Sequence, residues 1–300
     1  MTRTLTRRKR PQATLRTIRV LGQDLRVSIR PGLGSACPPL LLCCGIGAGF
    51  EALQPFVDAL DPAIEVIRFD VPGVGGSPAG PVPYGYPGNA YLAARMVRKL
   101  GHRQVDVLGL SWGGGLAQQL AIQHAALVRR LVLVGTGTGS LMIPAHPRVL
   151  RHMLTPRRFL DKDYAASIAP VLYGGSAREH PEQVHEILGD STRIGSSTGY
   201  LHQLIAGAGW TSLPWLPLIR QPTLVLAGDD DPIVPPANGR LLSGLLPHAE
   251  LHVYHGGHLA LATEAKDLAP VVARFLTAPP ADRPNEREEA TRRRSHSRGR

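Results

Sequence analysis

The chain has 300 residues, 43% of them hydrophobic, with a mean hydropathy of −0.05. These values suit a globular protein of one moderate domain with room for an insertion, and no apolar run approaches the roughly 20 residues needed to span a bilayer. The net charge of +11 invites a nucleic-acid reading, but residues 1–10 carry five bases, and residues 277–300 carry seven arginines against four acids; together they supply +8 and leave +3 for the body. A basic binding face is therefore not expected of the folded part, and no specific nucleic-acid partner is expected.

The ends set the first boundaries. Residues 1–12 form an expected disordered basic arm and residues 277–300 an expected disordered Arg-rich tail, since both lack apolar periodicity. No apolar segment follows the basic start, so neither a secretory nor a twin-arginine signal is expected. The expected compartment is the cytoplasm. Cys37, Cys43 and Cys44 offer no disulfide framework and no metal spacing, and are read as small core residues.

Residues 15–30 alternate around "GQD" and predict an antiparallel hairpin. "PLLLCC" at 39–44 is a short continuous apolar run, the mark of a strand covered on both faces. A glycine loop follows, then a helix at about 50–60 and the strand "EVIRFD" at 65–70. Next come the turn "VPGVGGSPAGP", a helix at about 88–100, a strand at 104–109, a helix to about 125 and the strand "RLVLVG" at 130–135. This rhythm predicts a mostly parallel sheet with helices on both faces. It breaks over 140–218, read as a mainly helical lid inserted over the carboxyl ends of the strands. It resumes with "PTLVLAG" at 222–228, a helix at about 236–246, "AELHVY" at 249–254 and a last helix at about 263–276. The α/β core is thus expected over 13–139 and 219–276.

Chemistry concentrates at the turn after the strand at 104–109. Gly109-Leu110-Ser111-Trp112-Gly113 is Gly-x-Ser-x-Gly between a strand and a helix, the context in which a serine becomes an exposed nucleophile. A serine needs a base. His258, in the loop "HGGH" after the strand at 249–254, is the best placed of twelve histidines, with His255 its neighbour. The base needs a carboxylate to fix its tautomer, and "LAGDDDPIVP" offers Asp229, Asp230 and Asp231. Asp231 is chosen and Asp230 kept as the alternative. Backbone N–H groups of Trp112 and Ile46 are the expected oxyanion donors. No cofactor or metal is expected.

Beyond these residues the chain resembles a known family. The elbow, the turn at 70–77 and Gly-x-x-Asp-x-x-x-Pro at 228–235 resemble the α/β-hydrolase superfamily. The blocks "EALDPAIEVIRFDVPGVGGS", "SWGGGLAQQLA", "PRRF", "IAPVLYGG", "AGAGWTS" and "IRQPTLVLAGDDDPIVP" are similar to intracellular poly(3-hydroxyalkanoate) depolymerases acting on medium-chain-length polyesters. The resemblance spans about 15–276, and the family's nucleophile, acid and base fall on Ser111, Asp231 and His258. It implies an α/β-hydrolase fold, an acyl-enzyme mechanism, a polyester or small ester as partner, and association with the surface of storage granules. Two positions depart from the pattern: Cys44 stands where Asn is expected before Gly45, and Gly256 where an acid is expected. Tyr200, Trp210, Leu213 and Trp215 of the insertion are the expected walls of a slot for alkyl side chains. The rival readings are a general carboxylesterase or lipase for small soluble esters, a carbon–carbon bond hydrolase or perhydrolase on the same triad, and a non-catalytic granule-surface protein. Oligomeric state is not readable.

Overall fold

The computed structural model describes residues 12–34, 37–182, 184, 187 and 197–279. The expected arm (residue 12 apart), the tail from 280 onward and part of the insertion lie outside the described residues. Eight strands form one sheet: β1 (Thr14–Val20), β2 (Gln23–Arg30), β3 (Leu40–Cys43), β4 (Val66–Phe69), β5 (Val105–Leu110), β6 (Val128–Val134), β7 (Thr223–Gly228) and β8 (Ala249–Tyr254). Their spatial order is β1-β2-β4-β3-β5-β6-β7-β8. β1 and β2 pair antiparallel and β2 joins β4 antiparallel; the other pairings are parallel. The hairpin turns at Leu21 (φ 51°) and Gly22 (φ 84°), one step before the expected "GQD", because two consecutive positive-φ residues match the twist of the flanking strands.

The helices are α1 (Gln54–Ala59), α2 (Tyr86–Lys99), α3 (Trp112–Gln123), α4 (Pro147–Met153), α5 (Arg157–Leu160), α6 (Lys162–Leu172), α7 (Ser197–Ala208), α8 (Ala237–Leu245), α9 (Ala260–Thr263) and α10 (Ala265–Thr277). Strand side chains alternate between two cores. Leu41, Val107, Leu131 and Leu133 face α2, α3 and α8, whereas Leu40, Leu42, Leu108, Val132 and Val134 face α1, α9 and α10. Both faces of the central strands are therefore buried, which is why they read as unbroken apolar runs. The last helix is tied back by two arginines of β6. Arg129 grips Asp106 at 2.9 and 2.5 Å and the Leu276 carbonyl at 2.7 Å, while Arg130 donates to the carbonyls of Phe275 and, at 2.6 Å, Ala278.

The insertion leaves the core after β6 and returns before β7. Its neck closes through a bridge between Gly139 and Thr211, with Ser140 N–H donating to the Trp210 carbonyl and Ser212 N–H to that of Thr138. Two glutamines of α3 hold the returning limb: Gln118 accepts from Ser212 Oγ at 2.6 Å, and Gln119 from Trp210 Nε1 at 2.7 Å. The lid has its own small core, built from Ala145, Val149, Ile168, Leu172 and Tyr173 on Ile233 and Val234 of the segment after β7.

Candidate active site

Ser111 sits between β5 and α3 with φ 55° and ψ −120°, a backbone state costing on the order of 1–3 kcal/mol for a residue with a side chain. Its surroundings leave no alternative. The N–H donates to Val134 O at 2.9 Å, and the carbonyl accepts from Gly114 N–H at 2.9 Å and Thr136 Oγ1 at 2.8 Å. The motif glycines permit the packing: a Cβ on Gly113 would lie 2.1 Å from Cys43 O, and one on Gly109 2.3 Å from Gly113 O. The turn thus raises Oγ at the carboxyl edge of the sheet, over the N-terminus of α3, where ligands of open α/β sheets bind.

The three consecutive aspartates have separate partners. Asp231 Oδ2 meets His258 Nδ1 at 2.7 Å, and both side chains are buried. Its other oxygen accepts the N–H groups of Ile233 and Val234, each at 2.9 Å. Asp230 instead takes Arg178 at 2.7 Å on both oxygens and Gly175 N–H at 2.7 Å. Asp229 pairs with exposed His255 at 2.9 Å. The Arg178 hydrogen bonds hold the Asp230 carboxyl below its usual range, and His255 does the same for Asp229. Of the two acids weighed from the sequence, only Asp231 reaches His258.

A carboxylate on Nδ1 places the imidazole proton there and leaves Nε2 as the acceptor. No hydrogen bond joins Ser111 Oγ to His258 in this structure, but both line one cavity. Gly135, at φ 48° after β6, keeps the pair's space open: a Cβ there would lie 3.2 Å from Asp231 Oδ2 and 3.4 Å from His258 Nδ1. Backbone contact from the lid fixes the other side, since His258 N–H donates to Tyr173 O at 2.7 Å.

The loop after β3 lies beside the serine, with the Cβ direction of Gly45 ending 3.5 Å from Ser111 Cβ. Ile46 and Trp112, the two expected oxyanion donors, line the larger of two cavities beside the serine together with Ser111 itself. Gln203 of α7, which sequence reasoning passed over, ties them together. Its Oε1 accepts from Gly47 N–H at 2.7 Å, and its carbonyl accepts from Trp112 Nε1 at 2.9 Å.

Two cavities meet at Ser111. The smaller, about 50 Å³, is lined by Cys44, Leu110, Ser111, Arg158, Tyr173 and His258 among others. The larger, about 340 Å³, includes Ser111, Tyr86, Trp112, Met142, Leu150 and Trp210. Trp210, Tyr86 and Trp112 follow in series: Trp210 lies tilted on Tyr86 with ring centroids 4.5 Å apart, and Tyr86 stacks on Trp112 at 4.7 Å. Cys44 is thus a cavity wall as well as a small core residue, and burial pushes its thiol and that of Cys43 well up.

Of the four expected slot residues, only Trp210 lines either of these two cavities. Tyr200 is buried behind the wall, its hydroxyl donating to Met153 O at 2.6 Å and meeting Arg158 Nη1 at 2.8 Å. Leu213 packs on the core beneath the lid. Trp215 is 51% exposed. The reason is a 3₁₀ period over Leu213–Leu218: every third residue points inward, so Leu216 and Ile219 are buried and Trp215 faces out. Arg158, Phe159 and Tyr173, which line the smaller cavity, lie within the blocks "PRRF" and "IAPVLYGG", but nothing in spacing alone marks them. Among the described residues, no group of three or more His, Cys, Asp or Glu could hold a metal ion, and no helix is long and apolar enough to cross a membrane.

A family model described as alpha/beta hydrolase fold matches residues 38–265. The chain belongs to the α/β-hydrolase fold family. This α/β-hydrolase is 48% identical over 261 residues to a poly(3-hydroxyalkanoate) depolymerase of Ectopseudomonas oleovorans, an alignment covering 87% of this chain and 92% of that one. A 2-hydroxy-6-oxononadienedioate/2-hydroxy-6-oxononatrienedioate hydrolase of a Pseudomonas species is 29% identical over 256 residues, covering 77% and 85%. The solved enol-lactonase of Burkholderia xenovorans superposes with a TM-score of 0.74 at 23% identity, over 88% of this chain and all of that one. The fold expectation and the family resemblance read from the sequence are both borne out.

Proposed function

We propose that this α/β-hydrolase cleaves the ester bonds of medium-chain-length poly(3-hydroxyalkanoates) through an acyl-enzyme on Ser111, in the cytoplasm at the surface of polyester granules. The observation that carries the reading is the buried Asp231–His258 pair, 2.7 Å apart, whose histidine lines the same cavity as the strained Ser111. The 48% identity to a poly(3-hydroxyalkanoate) depolymerase supports the substrate class.

His258 Nε2 takes the Ser111 proton as Oγ attacks the ester carbonyl. The N–H groups of Trp112 and Ile46 receive the oxyanion, the first aided by its place at the start of α3. His258 then returns the proton to the leaving alkoxide, freeing a hydroxyl-ended fragment. A water, deprotonated by the same imidazole, releases the acyl group and restores Ser111. Asp231 holds the ring in this tautomer and stabilises the imidazolium between the two transfers. The aromatic and Met wall of the larger cavity offers apolar surface for alkyl side chains.

Purified protein offered amorphous poly(3-hydroxyoctanoate), amorphous poly(3-hydroxybutyrate) and p-nitrophenyl octanoate side by side should degrade the first and the soluble ester. Turnover of soluble esters alone would move the reading to a general carboxylesterase. Ser111→Ala should abolish the burst of p-nitrophenol; a surviving burst would remove Ser111 from the role of nucleophile.

A further inference from the structure

Arg158 stands out among the walls of the smaller cavity. It is 4% exposed, yet among the described residues no carboxylate lies within ion-pair distance of it. Its Nη1 donates to the Tyr200 hydroxyl at 2.8 Å and the His152 carbonyl at 3.3 Å. Its guanidinium lies 4.4 Å from the centre of the Phe159 ring and 5.4 Å from that of Tyr200. These neutral partners orient the planar group without neutralising it. The guanidinium has five N–H donors, and a buried charge without a counter-charge costs several kcal/mol. Apart from His258, the rest of the cavity is predominantly apolar, so a cation there has a place but, among the described residues, no anion.

We propose that Arg158 binds the carboxylate at the acid end of a 3-hydroxyacyl chain, so that the enzyme cleaves the last ester and releases one 3-hydroxy acid at a time. This rests on the ester-hydrolase reading above. In the final unit of such a chain the carboxylate carbon lies three bonds from the ester oxygen that leaves. A cavity of about 50 Å³ bounded by both Ser111 and Arg158 has room for a few water-sized groups, hence for a carboxylate and its methylene. Alkyl side chains and the upstream polymer take the larger cavity. Ser111 Oγ forms the bond to the penultimate carbonyl, the bond from that carbonyl to the ester oxygen breaks, and His258 protonates the oxygen. The product leaves as the free 3-hydroxy acid, its carboxylate held bidentately by the Arg158 fork until release.

The test compares the 3-hydroxyoctanoate dimer as free acid and as methyl ester. Losing a charge-assisted hydrogen bond costs at least about tenfold, so wild type should favour the free acid by at least about tenfold in kcat/KM. Arg158→Gln should bring the ratio close to one, and Arg158→Lys should retain part of it. Independently of turnover, calorimetry on Ser111→Ala should show 3-hydroxyoctanoate binding and its methyl ester binding at least about tenfold more weakly. Equal kcat/KM for the two dimers in wild type, or equal binding by Ser111→Ala, would overturn the carboxylate site whether or not Arg158→Gln folds. If neither dimer nor any p-nitrophenyl ester is hydrolysed, the ester-hydrolase reading fails, and the calorimetric comparison still decides what Arg158 binds.

Discussion

At Ser111 a costly backbone conformation is over-determined by three hydrogen bonds and by glycines that let backbone touch backbone. The carboxylates obey the same logic, since each aspartate of 229–231 has a side-chain partner of its own. Substitution should therefore separate them cleanly. Asp231→Asn should lower kcat by about 10⁴-fold, because the amide favours the wrong imidazole tautomer. Asp229→Asn and Asp230→Asn should stay within about tenfold of wild type; a collapse on Asp230→Asn would hand it the role of the acid. The Gly-x-Ser-x-Gly elbow was legible because its residue types and its strand–helix context coincide in six residues. The choice among three adjacent carboxylates was less so, since only the path of the loop decides which one faces the ring. Arg158 could not be found at all from one sequence, because a missing counter-charge is a property of space and not of spacing.

At the scale of elements, the lid is part of the chemistry's scaffold. Gln203 on α7 joins the loop carrying Ile46 to the side chain of Trp112, so lid position should be coupled to the proposed oxyanion geometry. Gln203→Ala should lower kcat more than it raises KM, by roughly 10–100-fold, short of the loss from deleting an oxyanion donor outright; steady-state kinetics on p-nitrophenyl octanoate read the split. A second link, Asp230 with Arg178 and Gly175, joins the lid to the segment after β7. Its carboxyl is held below the usual range, so the link stabilises above the unfolded value near ~3.9 and is lost as pH falls through the lower folded value. Thermal melts should show Asp230→Asn less stable than wild type at pH 6, with the gap closing below about pH 4. The strands were readable as apolar runs because both sheet faces are covered. The lid residues were not: aromatic character suggested Trp215, and the 3₁₀ period turned it outward.

At the scale of the whole molecule, charge and catalysis are separable. The residues that supply +8 of the net charge lie almost wholly outside the described fold, while the named residues of the two cores and of the proposed site lie within 12–279. Arg129 and Arg130 hold the chain as far as Ala278 and Pro279, so a truncation should begin beyond them. Protein lacking residues 1–11 and 280–300 should keep its melting temperature within a few degrees and its kcat/KM on soluble esters within about twofold. Any binding of nucleic acid by the full chain should fall steeply with salt and vanish with the trimmed ends. Binding that outlasts high salt would revive a nucleic-acid role.

The run of three aspartates has one more consequence. Each carboxylate is defined by its count from the end of β7, and all three are chemically the same. Deleting any one of them leaves a loop of nearly unchanged composition, charge and local propensity. Yet, counted from Gly228, the two acids that remain fill the first and second places, and proline takes the third, where Asp231 meets His258. The segment is thus tolerant of being read in the wrong frame by eye and intolerant of it in three dimensions. Length, as well as the acid at its third place, is what a functional chain must preserve there.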